Sequence, residues 1–426
     1  PIYSVFFVSR TKDAFSMSIS CKQDHVLGGI CEAVGEIERA RQHGFTESEL
    51  ERAKKLYLNA AERKLKMEKD YRNVHYVSQC VDHFLEGEPI LTPAYNLQLV
   101  KQFDGEVTLA EVNQSVGNII TDKKQVFVMY GPDKEGFVIP SESEIEATVL
   151  AAQKKQYEPY QEEKIPSTLM SALPKPGKIV SEKPYGKFGM TEITLSNGMK
   201  VYVKPTDYQA DQVMMSMRAE GGTSLYGNGD IPNFSLLTSA ITEAGVGDFS
   251  ATALRKALAG KSIRLTPSIS SEGQRIAGSS SVKDIETMLQ LAHLYFMAPR
   301  KDSVAFEGLK NRTLSFLKNR NASSKVVYND SLSAVLYGHN LRMAPVTGEV
   351  LAKADYGRIM EIYRERFSDA SNFKTVFIGK IDMAELRPLL CQYLATLPST
   401  YKKEETDKKN VPQIVMKNET VKFVHQ

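Results

Sequence analysis

The 426-residue sequence contains no apolar run approaching the roughly 20 residues that a bilayer-spanning helix needs, so a membrane span is not expected. Cysteine is scarce: Cys21, Cys31, Cys80 and Cys391 are scattered without a CxxC pair. A zinc knuckle or a disulfide framework needs closer spacing, and buried thiols are the expectation. Charge of one sign is also lacking, since 54 basic and 51 acidic side chains leave a formal +3. No field of that size recruits nucleic acid or an anionic membrane, and neither is expected as a partner.

The familiar catalytic motifs are missing or incomplete. No GxSxG elbow or P-loop occurs, and Gly227-Asn228-Gly229-Asp230 lacks the lysine of a phosphate cradle, so it reads as a turn. His83-Phe84-Leu85-Glu86-Gly87 approaches HxxEH, in which two histidines one helical turn apart face a metal and the glutamate activates its water. Gly87 stands where the second histidine is required, so the helix is expected to end there. Cys80 shares a helical face with His83, yet catalytic zinc takes three protein ligands and this segment offers two at most. His25, His43, His75, His293, His339 and His425 show no ligand spacing. The acidic pairs Glu162–Glu163 and Glu404–Glu405 lie in connector-like sequence and are expected to be solvated, as is the mixed-charge run 402–409.

What is present is a series of elements spelled twice, about 250 residues apart, a spacing suited to duplicated domains. The first series predicts strands at 3–9 and 14–20, helices near 25–42, 47–69, 71–85 and 109–120, a strand at 125–130 and a helix at 142–155. The second predicts strands at 262–269 and 273–280, helices at 284–297, 303–320 and 324–337, one ending near Phe367, a strand at 374–379 and a helix at 383–395. Thr46-x-x-Glu49 and Thr108-x-x-Glu111 are capping boxes, while Asp302 and Asp382 can cap helices of the second series. Only the second series has an opening section. Its strands 191–195 and 199–204 flank Asn197-Gly198, a type I′ hairpin signal, a third strand alternates through Val213, Met215, Met217 and Ala219, and helices follow at 232–244 and 251–259. Residues 157–189 hold five prolines and read as an extended linker, and 420–424 as a fresh strand. Strands leading into runs of helices imply an α+β fold, each sheet covered by helices on one face.

Several stretches together resemble the pitrilysin/insulinase family of inverted zinc peptidases, especially its long bacterial members with four homologous domains. They are Tyr3-Ser4-Val5, the segment from Gly44 to Lys54, Val128-Met129-Tyr130-Gly131-Pro132, the segment from Leu195 to Val201, Gly221-Gly222-Thr223-Ser224 and Ile378-Gly379-Lys380. The resemblance implies the α/β roll of these metallopeptidases. Residues 1–140 would be the second half of a family domain without its opening strands, 141–189 a helix and Pro-rich linker, 190–400 a complete homologous domain, and 401–426 a linker into a further domain. It places the catalytic motif in a first domain upstream of Pro1 and implies zinc in the parent protein but none in this chain. At the matching position stand Asn233 for the first histidine, Leu236 for the glutamate and Leu237 for the second histidine, so no catalytic or metal residue is expected here. The implied role is a non-catalytic chamber wall of a zinc metalloendopeptidase. Its implied partners are a peptide or unfolded polypeptide substrate and the catalytic domain or another family subunit. The implied location is the bacterial cell envelope or periplasm. The alternative is a catalytically inactive homologue serving as a binding or structural subunit.

Overall fold

In a computed structural model of the chain, the described residues are 2–9, 12–21, 24–121, 124–131, 138–163, 165–166, 168–318 and 320–415, divided between two units, Pro1–Lys164 and Ile165–Gln426. The strand expected over 420–424, and His425, lie outside the described residues.

The first unit opens with the antiparallel hairpin β1 (Ile2–Ser9) and β2 (Lys12–Ser18). Six helices follow: α1 (Val26–His43), α2 (Glu47–Lys66), α3 (Asn73–Glu86), α4 (Pro93–Glu106), α5 (Leu109–Ile119) and α6 (Glu142–Lys154). Both expected capping boxes form, and Ser141 with Glu144 makes a third at α6. Helix α4 was not expected. Its signal was Thr92 before Pro93, whose hydroxyl accepts the Tyr95 amide at 3.2 Å. Val34 of α1 packs on Val149 and Ala152 of α6 as a small core. The chain after α6 is strapped back: Gln42 donates to the Lys155 carbonyl at 2.8 Å, Arg39 to that of Glu158 at 3.0 Å, and Ser48 and Arg52 both bind the Glu162 carboxylate. Glu162 is therefore tied down, against the expectation of a solvated pair.

Residues 125–130, expected as a strand, form none, and Val126, Phe127, Val128 and Tyr130 are exposed. Among the described residues no strand pairs with this run, whereas β9 of the second unit is flanked by a strand on each side. A strand without a partner leaves its backbone groups to water.

The second unit runs β3 (Ile179–Tyr185), β4 (Met190–Leu195), β5 (Lys200–Pro205), β6 (Val213–Glu220), α7 (Ile231–Phe234), α8 (Leu237–Ala244), α9 (Ala251–Ala257), β7 (Ile263–Ile269) and β8 (Gly273–Ser280). It continues through α10 (Ile285–Met297), α11 (Ser303–Lys318), α12 (Ser324–Leu336), α13 (Gly348–Ala352), α14 (Tyr356–Arg366), β9 (Lys374–Gly379) and α15 (Met383–Leu389). The seven strands lie in the order β3-β4-β5-β9-β6-β8-β7, all antiparallel except the β5–β9 pair. Alternation sets the two faces: Val213, Met215, Met217 and Ala219 are at most 2% exposed, while Met214, Arg218 and Glu220 between them are exposed. The buried face packs on α8, α10 and α14 through Leu237, Ile241, Met288, Leu289, Ile359 and Tyr363. The other face is open. This is the α+β, one-side-covered sheet that the sequence implied.

Two local expectations fail. Residues 157–189 are not extended linker throughout, because β3 lies within them as a rim strand; six of its seven residues are exposed, so no alternation marked it. Each rim carries a proline, Pro184 in β3 and Pro267 in β7, a residue that sheets tolerate at edges because it has no N–H for the ladder. The β4–β5 turn is not type I′. Only Gly198 has positive φ, at 84°, and the Asn197 side chain instead donates to the carbonyls of Leu394 and Leu397 at 2.8 and 3.0 Å.

Candidate functional site

The positions singled out by the resemblance lie where β6 leads into the first helices of the second unit. β6 ends at Gly221 and Gly222, with φ of 111° and 53°; a Cβ on Gly222 would lie 2.2 Å from the Ser270 carbonyl oxygen, so only glycine lets this turn sit against the β7–β8 hairpin. The chain then passes Tyr226 and a 3₁₀ turn at Asn228–Asp230, as expected of a turn without phosphate-binding lysine. The helix expected over 232–244 is broken into α7 and α8 at Ser235 and Leu236. Asn233 lies within α7, is 5% exposed, and its side-chain oxygen accepts the Asp355 amide at 2.9 Å. Leu236 and Leu237, 2% and 1% exposed, are part of the sheet-facing core.

Three arginines hold this loop. Arg358 grips Asp230 through two hydrogen bonds of 2.9 and 3.1 Å. Arg342 donates to Asn228 and to the carbonyls of Thr223 and Tyr226. Arg366 donates to the Tyr226 hydroxyl at 2.9 Å and clasps Glu404 with both terminal nitrogens, at 2.6 and 3.2 Å. Arg358 and Arg366 also lie 5.5 and 5.4 Å from the Tyr226 ring centre. Burial, reinforced by the hydroxyl's bond to Glu365, raises the Tyr226 phenol far above its ordinary range despite the arginines, so it stays neutral. The cluster is a fully engaged brace.

The run 402–409, expected as a solvated connector, is part of that brace, as is Asn410 after it. Besides the Glu404–Arg366 pair, Thr406 donates to the Glu272 carbonyl at 2.8 Å, and the Asp407 amide and Asn410 side chain bind Ser224. Partner supply explains the discrepancy, because mixed charge in sequence says nothing about a buried arginine 38 residues away.

The other candidate is dispersed. α3 ends at Glu86 with Gly87 left-handed at φ 74°, and His83 makes its bond to the Glu88 carbonyl at 2.7 Å. Cys80 lies with Tyr76, Val77, Val81, Phe84 and Leu85 along an exposed apolar face. All four cysteines are free, with Cys21 and Cys80 exposed and Cys31 and Cys391 half-buried, so the expectation of buried thiols is not met. His293 is buried in α10 against the Tyr393 carbonyl at 2.9 Å, and burial lowers its pKa despite that bond. Among the described residues, no group of three or more His, Cys, Asp or Glu side chains could hold a metal ion. No helix there is long and apolar enough to cross a membrane.

No family model matches the chain. Over 397 residues, 92% of this chain and 38% of the relative, it is 25% identical to a protein of Arabidopsis thaliana named Zinc protease PQQL-like. It is 22% identical over 367 residues to Probable zinc protease PqqL of Haemophilus influenzae, covering 85% of this chain and 39% of the relative. Both relatives are named as zinc proteases, in keeping with the resemblance to the pitrilysin/insulinase family of zinc peptidases. It spans only 38% to 41% of the length of the curated relatives it matches. Two solved structures share its fold: the periplasmic protease PqqL from Escherichia coli, with a TM-score of 0.54, 17% identity and coverage of 94% of this chain and 44% of that one, and a mutant of the ferredoxin protease FusC in complex with Arabidopsis ferredoxin, with 0.55, 14%, 95% and 45%.

The names of these relatives raise the question of zinc, and the residues at the matching position do not fit it. The Asn233 side-chain oxygen is committed to the α14 N-terminus, and Leu236 and Leu237 have no atom that ligates a metal or moves a proton.

Proposed function

We propose that this chain is a non-catalytic segment of a zinc metallopeptidase, contributing chamber wall and polypeptide contacts while the zinc and the general base reside elsewhere in the parent protein. The reading rests on one observation: where the family motif would lie, two leucines and an asparagine are packed into a braced core. In the same reading, residues 1–140 are the second half of a family domain, 190–400 are a complete homologous domain, and 401–426 lead toward a further one. Asn233, Leu236 and Leu237 are then structural residues of a helix pair. The substrate is a peptide or unfolded polypeptide, in keeping with the complex of the FusC mutant with ferredoxin. The location is the periplasm, in keeping with PqqL from Escherichia coli.

The test is direct. The purified chain is assayed for zinc by atomic emission and for cleavage of a fluorogenic unfolded protein, and its binding to labelled peptides is followed by anisotropy. Substoichiometric zinc and no cleavage, together with peptide binding, are expected. Cleavage that a chelator abolishes and zinc restores would refute the proposal.

A further inference from the structure

The open face of the second unit's sheet carries an ordered row of charge. Strand register puts Lys200 of β5 opposite Lys374 of β9, Lys374 opposite Arg218 of β6, and Arg218 opposite Arg275 of β8. All four side chains are exposed. With about 4.8 Å between neighbouring strands, the row extends about 14 Å. Like charges placed directly opposite one another destabilise a sheet, and the row contains three such pairs in succession. Overall composition does not account for it, because the chain is nearly neutral with both signs interspersed.

Local counter-charge is sparse. Glu192 lies 3.8 Å from Lys200, but it is shared with Lys183 at 3.6 Å. Arg275 donates to the Ser216 hydroxyl at 3.0 Å, a neutral partner. Glu220, the next open-face residue of β6, interacts with Lys403. Among the described residues, Arg218 and Lys374 at the centre of the row have no ion pair. Beside the row is a depression of mixed lining, with Met214, Ala277, Val376 and Ile378 as its apolar side chains and Gln212 and Thr266 among its polar ones; Met214 and Ile378 are 53% and 37% exposed.

We propose that Lys200, Lys374, Arg218 and Arg275 form a carboxylate-binding stripe that holds acidic segments of an extended polypeptide, whose neighbouring apolar side chains settle into the adjoining depression. The inference rests on the polypeptide-binding reading above and deepens it by naming the substrate chemistry. Aspartate and glutamate side chains supply the counter-charge that the fold withholds from Arg218 and Lys374. The repulsion stored in the row is relieved on binding.

The experiment uses the full chain and fluorescein-labelled peptides of equal length, one alternating Glu and Leu and one alternating Gln and Leu, with a single-stranded oligonucleotide of matched charge as a third probe. At low salt the acidic peptide is expected to bind at least tenfold more tightly than the neutral one, with the difference shrinking as salt rises. The double variant R218S/K374S should bring acidic binding down to the neutral level. It should also melt no lower than the parent, since it removes opposed like charges and no ion pair, and this separates loss of the stripe from loss of the fold. Equal binding of the two peptides would overturn the stripe and leave the chamber-wall reading standing. Absence of binding to any peptide would overturn both. An oligonucleotide bound as tightly as the acidic peptide would overturn the assignment to polypeptide.

Discussion

Removing the charge of Glu404 should loosen the second unit more than any change in the mixed-charge run around it. The Arg366 side chain is 6% exposed and that of Glu404 23%, so their bidentate bond is largely out of water. Burial pulls the Arg366 pKa down, yet Glu404 and Tyr226 more than restore it, and an arginine guanidinium keeps its charge inside proteins. Breaking a buried pair by deleting one member typically costs about 3–5 kcal/mol, and partial exposure of Glu404 puts Glu404→Gln at about 3 kcal/mol. For a unit of this size that corresponds to a fall in Tm of about 6–12 °C by scanning calorimetry. Trypsin should then cut earlier at Lys402, Lys403, Lys408 and Lys409, because the strap loses its anchor. The control is Lys403→Ala, at a side chain that like its partner Glu405 is well exposed, and it should leave Tm unchanged. A Glu404→Gln variant melting within about 2 °C of the parent would show that the pair is not holding the brace.

Two further outcomes follow from the packing. Because the folded pKa of His293 is depressed, the unfolded chain binds its proton first, so stability should fall as pH drops below about 6.5 and level off once the depressed pKa is passed; urea midpoints of His293→Gln should be flatter between pH 7 and 5. Gly278→Ala would put a Cβ 1.7 Å from the Arg264 carbonyl oxygen and force β7 off β8, so a loss of about 1–3 kcal/mol or more is expected in a denaturant titration, and an unchanged midpoint would refute the clash.

Legibility followed the strength of local signals. The Val213–Ala219 alternation and the threonine capping boxes were readable, because period and cap chemistry are written in adjacent residues. β3 was not readable, since a rim strand exposed along its length leaves no periodic trace. The run 125–130 misled in the opposite direction: its β-branched and aromatic residues have strand propensity, but pairing is a tertiary matter and no strand pairs with it among the described residues. Asn197-Gly198 gave the right hairpin with the wrong turn, because two distant carbonyls compete for the asparagine side chain. At the candidate site, residue identities alone ruled out Leu236 and Leu237 as ligands. The arginine brace and the basic row were invisible until register and contacts put Arg218 beside Lys374 and Arg366 beside Glu404.

The prolines on the two rims of the seven-stranded sheet limit how another chain can attach to it. A visiting segment that tried to extend the sheet by backbone bonding would meet a missing donor at Pro184 on one side and at Pro267 on the other. Backbone bonding is indifferent to sequence, whereas side chains on the open face discriminate. A sheet closed at its edges and bare on its face therefore selects a guest by composition, and the same feature keeps two copies from growing into a common ribbon.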